Sequence, residues 1–217
     1  MSKTNGNTVN AAANFPDRDL RWSSANITAL NRPAKYELAA SRLLDPVRTT
    51  WPSADSMRAS IECVDLAQIA VMRLKGSAHR VHHGHGEIRS SSDRVFHLSL
   101  NKVSDWMLAD SAGTRRVPAG DAVLIDSGFP YEMEVQEYDI INIRVSTTWI
   151  STWISTPQRL VGNTIPHDRM WGASLTALVA ALEPSQIGRW PLTPSIVADQ
   201  IGAQLCIADH LRRSSTA

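Results

Sequence analysis

Apolar and polar residues alternate along much of the chain between residues 57 and 146, which is the pattern of strands with one buried face. The segment from Arg94 to Leu100 shows it clearly, because Phe96 and Leu98 share one face and His97 lies on the other. About eight such segments follow one another at hairpin spacing, as a small antiparallel barrel requires. We therefore predict a mainly β fold in which Phe96 and Leu98 point to the inside of a barrel.

Two breaks divide the stretch GTRRVPAGDAVLIDSGFPYEMEV into three of these strands. The first is a tight turn at Pro118–Asp121, where proline presets φ and Gly120 tolerates a positive φ. The second is Ser127–Pro130. After it, Tyr131 and Met133 alternate with two glutamates, as in a half-buried strand.

A helix is predicted before the strands. Asn31 suits the N-cap, a proline follows in the first turn, and Asp45–Pro46 stops the helix. We expect this helix, within an N-terminal helical segment of residues 21–56, to pack on the outside of the barrel. Residues 1–20 are rich in Asn, Ser, Thr and Ala and have almost nothing to bury, so we predict a disordered lead-in.

After Ser146 the apolar period changes from 2 to 3.6, which predicts a helical region over residues 147–217. Trp149 and Trp153 form an i,i+4 pair on a short helix. Ser174–Glu183 is the next helix, and Thr193 caps the last one, so these two form a helical hairpin. The first helix of the hairpin carries an apolar stripe made of Leu175, Leu178, Val179 and Leu182.

Composition narrows the class of protein. The 217 residues have a net charge of +1 and scattered lysines and arginines, so there is no electrostatic footprint for nucleic acid. Cys63 and Cys206 lie far apart in apolar surroundings, which fits reduced thiols in a reducing compartment. No signal-peptide layout is present, and no apolar run approaches the roughly 18 residues of a membrane span. We expect a soluble cytoplasmic protein that does not contact a membrane.

The segment PAGDAVLIDSGFPYEMEV resembles the signature of the cupin-like sensor domain of bacterial AraC/XylS-type transcription regulators, in its AraC-binding-like form. The resemblance extends from Asp55 to the C-terminus. The residues that match the pattern are Pro118, Gly120, Asp121, Asp126, Ser127, Pro130 and Tyr131. The fold implied by the resemblance is a cupin-like, jelly-roll β-barrel over residues 57–146, followed by a C-terminal α-helical hairpin.

The resemblance also implies a function and partners. A small-molecule effector would bind inside the barrel, and the helical hairpin would form a homodimer through Leu175, Leu178, Val179 and Leu182. In such regulators a helix-turn-helix DNA-binding domain follows the last helix. We expect that domain to be absent from this chain, which runs to Ala217. The chain would then contact DNA only by way of such a domain, and not with its own residues.

The predicted ligand-binding residues are Phe96, Leu98, Trp106, Leu108, Tyr131 and Met133, because a small barrel lined by such side chains can hold one mostly apolar ligand. His97, Arg94, Arg80 and Tyr131 could orient it. The same apolar residues would also fill a solid core, so an interaction domain without a ligand remains an alternative.

The other alternative is a metal-dependent cupin enzyme, because four histidines crowd together at His79, His82, His83 and His85. His83 and His85 have the spacing of two ligands on one strand. The second half of such a site is missing, since Val123 and Ser127 occupy the positions where the pattern needs ligands, and Glu87 lies on the same strand as the histidines. No activated nucleophile or phosphate-binding loop is present either. We therefore predict no metal, no cofactor and no catalytic residue.

Overall fold

The computed structural model describes residues 19–187 and 189–215. The lead-in predicted for residues 1–20 lies outside the described residues except for Asp19 and Leu20, which begin the first strand. Within the part of the chain that is described, no helix has both the length and the apolar content needed to cross a membrane.

Strands occupy the middle of the chain and helices flank them. The strands are β1 (Asp19–Ser23), β2 (Arg48–Thr50), β3 (Ala59–Asp65), β4 (Ile69–Gly76), β5 (His79–His83), β6 (Val95–Asn101), β7 (Trp106–Asp110), β8 (Gly113–Val117), β9 (Ala122–Asp126), β10 (Tyr131–Val135), β11 (Tyr138–Ser146) and β12 (Thr164–Ile165). The helices are α1 (Arg32–Leu43), α2 (His85–Ser90), α3 (Thr147–Trp153), α4 (Met170–Ala181), α5 (Pro184–Ile187) and α6 (Pro194–Ser215). Short 3₁₀ turns occupy Ser24–Asn26, Ala29–Asn31 and Pro157–Arg159.

The named strands pair antiparallel in two sheets that enclose a common core. The larger sheet has the order β1-β3-β4-β11-β6-β9-β12, and the smaller has the order β2-β5-β10-β7-β8. The N-terminal segment, predicted to be helical, also supplies β1 to the edge of the larger sheet and β2 to the edge of the smaller one. The predicted mainly β fold with helices after the strands is confirmed.

The apolar side chains form two separate cores, one on each face of the larger sheet. The inner core lies between the two sheets and includes Ile61, Met72, Trp106, Leu108, Val123 and Ile125. The outer core lies between the larger sheet and the C-terminal helices and includes Phe96, Leu98, Leu124, Ile143, Leu175, Val179, Ile201 and Leu205. The larger sheet is therefore covered on both faces.

This double burial corrects one prediction. Phe96 and Leu98 belong to the outer core, so they point away from the inside of the barrel. Every residue of β6 is buried, including His97, which lies on the inner face. When both faces of a strand are buried, alternation identifies two faces but does not show which of them faces inward.

Helix α1 begins and ends where the sequence predicts, yet its position is different. It runs from Arg32 to Leu43 and stops before Asp45–Pro46. Tyr36, Ala40 and Leu43 are buried in the inner core, so α1 closes the barrel interior instead of packing on its outside. The prediction was wrong because an apolar helix face shows that something covers it, but not what does.

The C-terminal helices cover the outer core. Helices α4 and α6 pack together, and the Ser174 hydroxyl donates to Gln204 Oε1 across them at 2.6 Å. Trp149 and Trp153 of α3 lie with ring centroids 6.3 Å apart, as their spacing predicts. In the predicted stripe, Leu175, Val179 and Leu182 have no exposed surface, and Leu178 is partly buried against the same core.

The turn at Pro118–Asp121 has the predicted conformation. Gly120 has φ +86°, a value that L-residues rarely adopt, and its N–H donates to Asn101 O at 2.8 Å. We expect Gly120→Ala to lower the free energy of unfolding by about 1–2 kcal/mol, the cost of the left-handed region for a residue with a Cβ. Urea denaturation followed by circular dichroism measures it.

Gly86 provides the matched control for this prediction. It lies in α2, and a Cβ added there would meet nothing within 4 Å. Gly86→Ala should stabilise the protein by about 0.5–1 kcal/mol, because alanine is the better helix former. Equal effects of the two substitutions would show that the backbone of Gly120 carries no special constraint.

Candidate ligand-binding site

A cavity lies between α1 and the inner faces of both sheets. It encloses about 60 Å³, and its walls are mainly apolar. Its lining comes from α1 and the residues after it, and from β4, β5, β6, β9, β10 and β11. The lining residues are Tyr36, Ala40, Leu44, Val47, Leu74, His79, Val81, His97, Ser99, Ile125, Tyr131, Met133, Val135, Tyr138, Ile140 and Asn142.

The predicted ligand-binding residues separate into three groups. Tyr131 and Met133 line the cavity on β10. Trp106 and Leu108 are buried in the inner core but are not among the residues that line the cavity. Phe96 and Leu98 face the C-terminal helices on the opposite side of the larger sheet.

The polar residues named in the sequence also separate. His97 and Tyr131 line the cavity. Arg94 forms an ion pair with Asp126 and lies 5.3 Å from the Phe129 ring, at the end of the barrel. Arg80 is exposed and bridges to Glu134 on the outer face of the smaller sheet.

One end of the cavity is aromatic and centred on His79. The Trp51 ring stacks on the imidazole at 4.1 Å with an interplanar angle of 8°, and Tyr138 and Tyr36 contact the same ring at 5.0 and 5.8 Å. His79 Nδ1 lies 3.2 Å from the carbonyl oxygen of Ser77, which can only accept, so Nδ1 carries the proton. Burial lowers the pKa of His79 to about 4, although the bond to Ser77 acts to raise it. The imidazole is therefore neutral at neutral pH.

The phenols of the cavity are neutral as well. Burial raises the pKa of Tyr36 to about 12, although the neighbouring Tyr138 acts to lower it. Burial also raises the pKa of Tyr131, with the nearby negative charge of Asp45 adding to the effect. The pKa of Tyr138 is raised for the same first reason. The residues that line the cavity include no Asp, Glu, Lys or Arg.

The other end of the cavity is polar. His97 Nε2 lies 2.6 Å from Asp45 Oδ2, and its Nδ1 lies 3.2 Å from Asn142 Oδ1. The Asn142 amide donates in turn to Ser99 Oγ at 2.7 Å. Burial alone would raise the pKa of the Asp45 carboxyl, but the hydrogen bond and charge of His97 outweigh it and hold the pKa below its ordinary value. The network joins β6 and β11 to the segment that follows α1.

His83 connects that same segment to the turn after β9. Its Nδ1 lies 2.8 Å from Pro46 O and its Nε2 lies 3.0 Å from Ser127 O, so both ring nitrogens face carbonyl acceptors. The Tyr131 ring stacks on it with centroids 4.8 Å apart. His83 thus ties the end of α1 to the turn that precedes β10.

The four clustered histidines do not converge. His79 and His83 point inward, His82 is partly exposed and pairs with Glu132, and His85 begins α2. The alternative of a metal-dependent enzyme needed His83 and His85 on one strand, but β5 ends at His83. Glu87 lies in α2 as well, not on that strand, and accepts from the Gly84 N–H at 2.9 Å. In residues 19–187 and 189–215, no three His, Cys, Asp or Glu side chains are grouped so that they could hold a metal ion.

Sequence reasoning missed Asp45 and Asn142, and it named His79 only as a metal-cluster histidine. The sequence marks Asp45 only as a helix stop, and alternation from Asp139 to Val145, with the isoleucines inward, predicts Asn142 on the outward face. A polar position on the inner side of a doubly buried strand was the available signal, since Ser99, His97 and Asn142 interrupt otherwise apolar strands. Asp45, the partner of His97, lies 52 residues away along the chain, so no local pattern could identify it.

The chain belongs to the AraC-binding-like domain family, whose model matches residues 37–207. Among solved structures, it is similar to the AraC-like transcriptional activator CuxR, with a TM-score of 0.74 and 13% identity over 88% of this chain and 70% of that one. Oxalate decarboxylases from Lactobacillus farciminis and Bacillus subtilis match 42% of this chain each, and 30% and 25% of their own, at 15% and 10% identity. Their TM-scores of 0.31 and 0.30 are too low to support an inference. None of the curated protein sequences compared with this chain matches it.

The predicted cupin-like fold, followed by C-terminal helices, and the predicted family are thereby confirmed. The family is one of regulatory domains, and the fold is that of an AraC-like activator over most of the chain. This chain therefore has the fold of a sensor domain of a transcription regulator.

Proposed function

We propose that this chain binds a small effector in the cavity beneath α1 and relays its presence to a DNA-binding domain of an AraC-type regulator. The observation that carries the proposal is the cavity itself: apolar walls from both sheets and α1, with a few convergent polar side chains at its two ends. A filled structural core would have no reason to bury His79, His97 and Asn142 around a common space. In this proposal the chain is cytoplasmic, bacterial and not an enzyme.

The relay would run through α1. Tyr36 and Ala40 of α1 and Leu44 after it line the cavity, and His83 and His97 hold the residues that follow the helix. A ligand that contacts α1 favours one position of the helix over another only if its affinity for the two differs. A coupling free energy of about 1–3 kcal/mol is typical of allosteric proteins.

Size sets a condition on this mechanism. A cavity of about 150 Å³ is the size known to accept benzene, whereas this one encloses about 60 Å³. A ring-sized ligand must therefore displace side chains, and Leu44, Val81 and Met133 have room to move because they are only partly buried. Methionine adapts to new packing more readily than branched side chains do.

Pairing of two chains is the second part of the proposal. Leu175, Val179 and Leu182 are buried within one chain, so a homodimer in this conformation would use other surfaces. Sedimentation equilibrium measures this self-association directly. If the molecular mass equals that of a single chain at every concentration, with and without effector, dimerisation is removed from the proposal.

A cavity-filling variant tests where the effector binds. Ala40 has no exposed surface and lines the cavity, whereas Ala34 lies on the exposed side of the same helix. In a thermal-shift screen of small aromatic acids, amines, phenols and sugars, we expect at least one compound to raise Tm for the unmodified chain. Ala40→Leu should lose that response, because the added carbons occupy the cavity, and Ala34→Leu should keep it.

Two outcomes would count against the proposal. A response that survives in Ala40→Leu would place the ligand outside the cavity. The absence of any response in the unmodified chain, together with no self-association, would favour the alternative of an interaction domain with a filled barrel, for which the small volume of the cavity is the supporting observation.

A further inference from the structure

His79 presents a buried acceptor that the protein itself does not satisfy. The residue is 4% exposed, and its Nε2 has no hydrogen-bond partner among the described residues. Because Nδ1 donates to Ser77 O, Nε2 is the lone-pair side of a neutral ring and can only accept. A buried polar atom without a partner is costly, so a bound molecule that donates a hydrogen bond to it would be favoured.

The surroundings of His79 restrict what can satisfy it. The Trp51 ring covers one face of the imidazole at 4.1 Å, and Tyr36 and Tyr138 lie around it, so the ring is held in place by aromatic contacts. His79 lines the cavity, and the edge that carries Nε2 is opposite the edge that faces the Ser77 carbonyl. The groups near this end are neutral phenols and apolar side chains.

We propose that the cavity takes a small neutral ligand that combines an apolar body with one N–H or O–H donor, and that His79 Nε2 accepts from that donor. This inference rests on the proposed function, since it names the class of effector for the same cavity. It predicts phenol-like, neutral amine-like or alcohol-like ligands and excludes ions. The hydrogen bond from Nδ1 already makes Nε2 the acceptor. The lowered pKa of His79 keeps Nε2 unprotonated at neutral pH.

Charged ligands are excluded by the distribution of charge around the cavity. The pair at its polar end, Asp45 with His97, is already hydrogen-bonded, and Asn142 occupies the remaining ring nitrogen of His97. A carboxylate or an ammonium group entering the cavity would be buried without a free counter-ion, which is strongly unfavourable. The acceptor at His79 would also repel the lone pairs of a carboxylate.

The test compares probes that differ only in the donor. Phenol and fluorobenzene have nearly the same size, and pyrrole and furan form a second pair with a smaller ring. Benzoate and benzylammonium supply the two charges. Calorimetric or ligand-observed NMR titration of the full chain should give affinities about tenfold higher for phenol than for fluorobenzene, and for pyrrole than for furan, as expected for one hydrogen bond to a buried acceptor. Benzoate and benzylammonium should bind more weakly than either member of a pair.

Variants at two histidines of the same strand locate the effect. His79→Phe removes the acceptor and keeps an aromatic ring against Trp51, so the preference for phenol over fluorobenzene should fall to about twofold or less. His82→Phe is the matched control, because His82 lies on the outer face of the smaller sheet and pairs with Glu132. It should keep the tenfold preference.

A second measurement does not depend on a variant that folds. In uniformly ¹⁵N-labelled unmodified protein, the His79 Nε2 resonance should shift when phenol or pyrrole is added and should stay in place with fluorobenzene. A tenfold preference that survives His79→Phe, or tightest binding by benzoate or benzylammonium, would overturn the assignment while leaving the cavity as the binding site. If neither the apolar probes nor the donor probes bind, both the assignment of His79 and the proposed function fail. The two failures are therefore distinguishable by whether any probe binds.

Discussion

Truncating Asp45 to alanine should lower the free energy of unfolding by about 3–5 kcal/mol, the cost of removing a buried carboxylate from its hydrogen-bonded partner. Asp45 is 2% exposed and lies 2.6 Å from His97, which is itself 3% exposed. Without the carboxylate, the His97 N–H toward Asp45 loses its acceptor in a site from which water is excluded. Urea denaturation monitored by fluorescence and circular dichroism measures the loss.

The same pair predicts how stability depends on pH. The pKa of Asp45 is lowered in the folded protein, so its ionised form contributes stability above the unfolded pKa, near 4. That stability is lost as the pH falls through the lower folded pKa. We expect the stability of the unmodified chain to decline on acidification below about pH 4, and Asp45→Asn, which has no proton to gain, to decline less steeply.

A matched control separates this effect from the removal of any aspartate. Asp199 lies on the exposed side of α6, and Asp199→Ala should change stability by no more than about 0.5 kcal/mol. Asp45→Asn keeps an acceptor oxygen but not the charge, so it should fall between the two. If Asp45→Ala costs no more than Asp199→Ala, the pair with His97 does not stabilise the fold.

Phe96→Ala should lower the free energy of unfolding by about 3–5 kcal/mol, the usual cost of truncating a fully buried phenylalanine. Phe96 has no exposed surface and lies in the outer core, where the larger sheet meets the C-terminal helices. The truncation leaves a void that rigid elements on both sides cannot close completely. Denaturant titration at a fixed temperature measures the change.

The position of Phe96 makes a second outcome specific. Because the side chain faces the helices, Phe96→Ala should leave the binding of fluorobenzene in the cavity unchanged in the folded protein, while Met133→Ala should alter it. Phe129→Ala is the control for stability, since that ring is 49% exposed and its loss should cost within about 0.5 kcal/mol. A change in cavity binding in Phe96→Ala would show that β6 has the opposite face inward.

The turns and the bounds of several elements follow from local chemistry and could be predicted. Turns at Pro118–Asp121 and Ser127–Pro130 depend on proline and on Gly120, whose backbone preferences act within four residues. The beginning of α1 and of α6 follow from an early proline, and the length of β6 follows from its alternation. These signals need no knowledge of what the elements pack against.

The direction in which each buried face points was decided only by tertiary structure. Alternation along β6 divides Phe96 from His97, but both are buried, so hydrophobicity does not assign the inside of the barrel. The C-terminal helices settle it by covering the face that carries Phe96, which leaves His97 to meet Asp45 across the interior. The candidate site depends on such long-range pairings, and residues that are distant in sequence and brought together by packing leave no periodic signal in the chain.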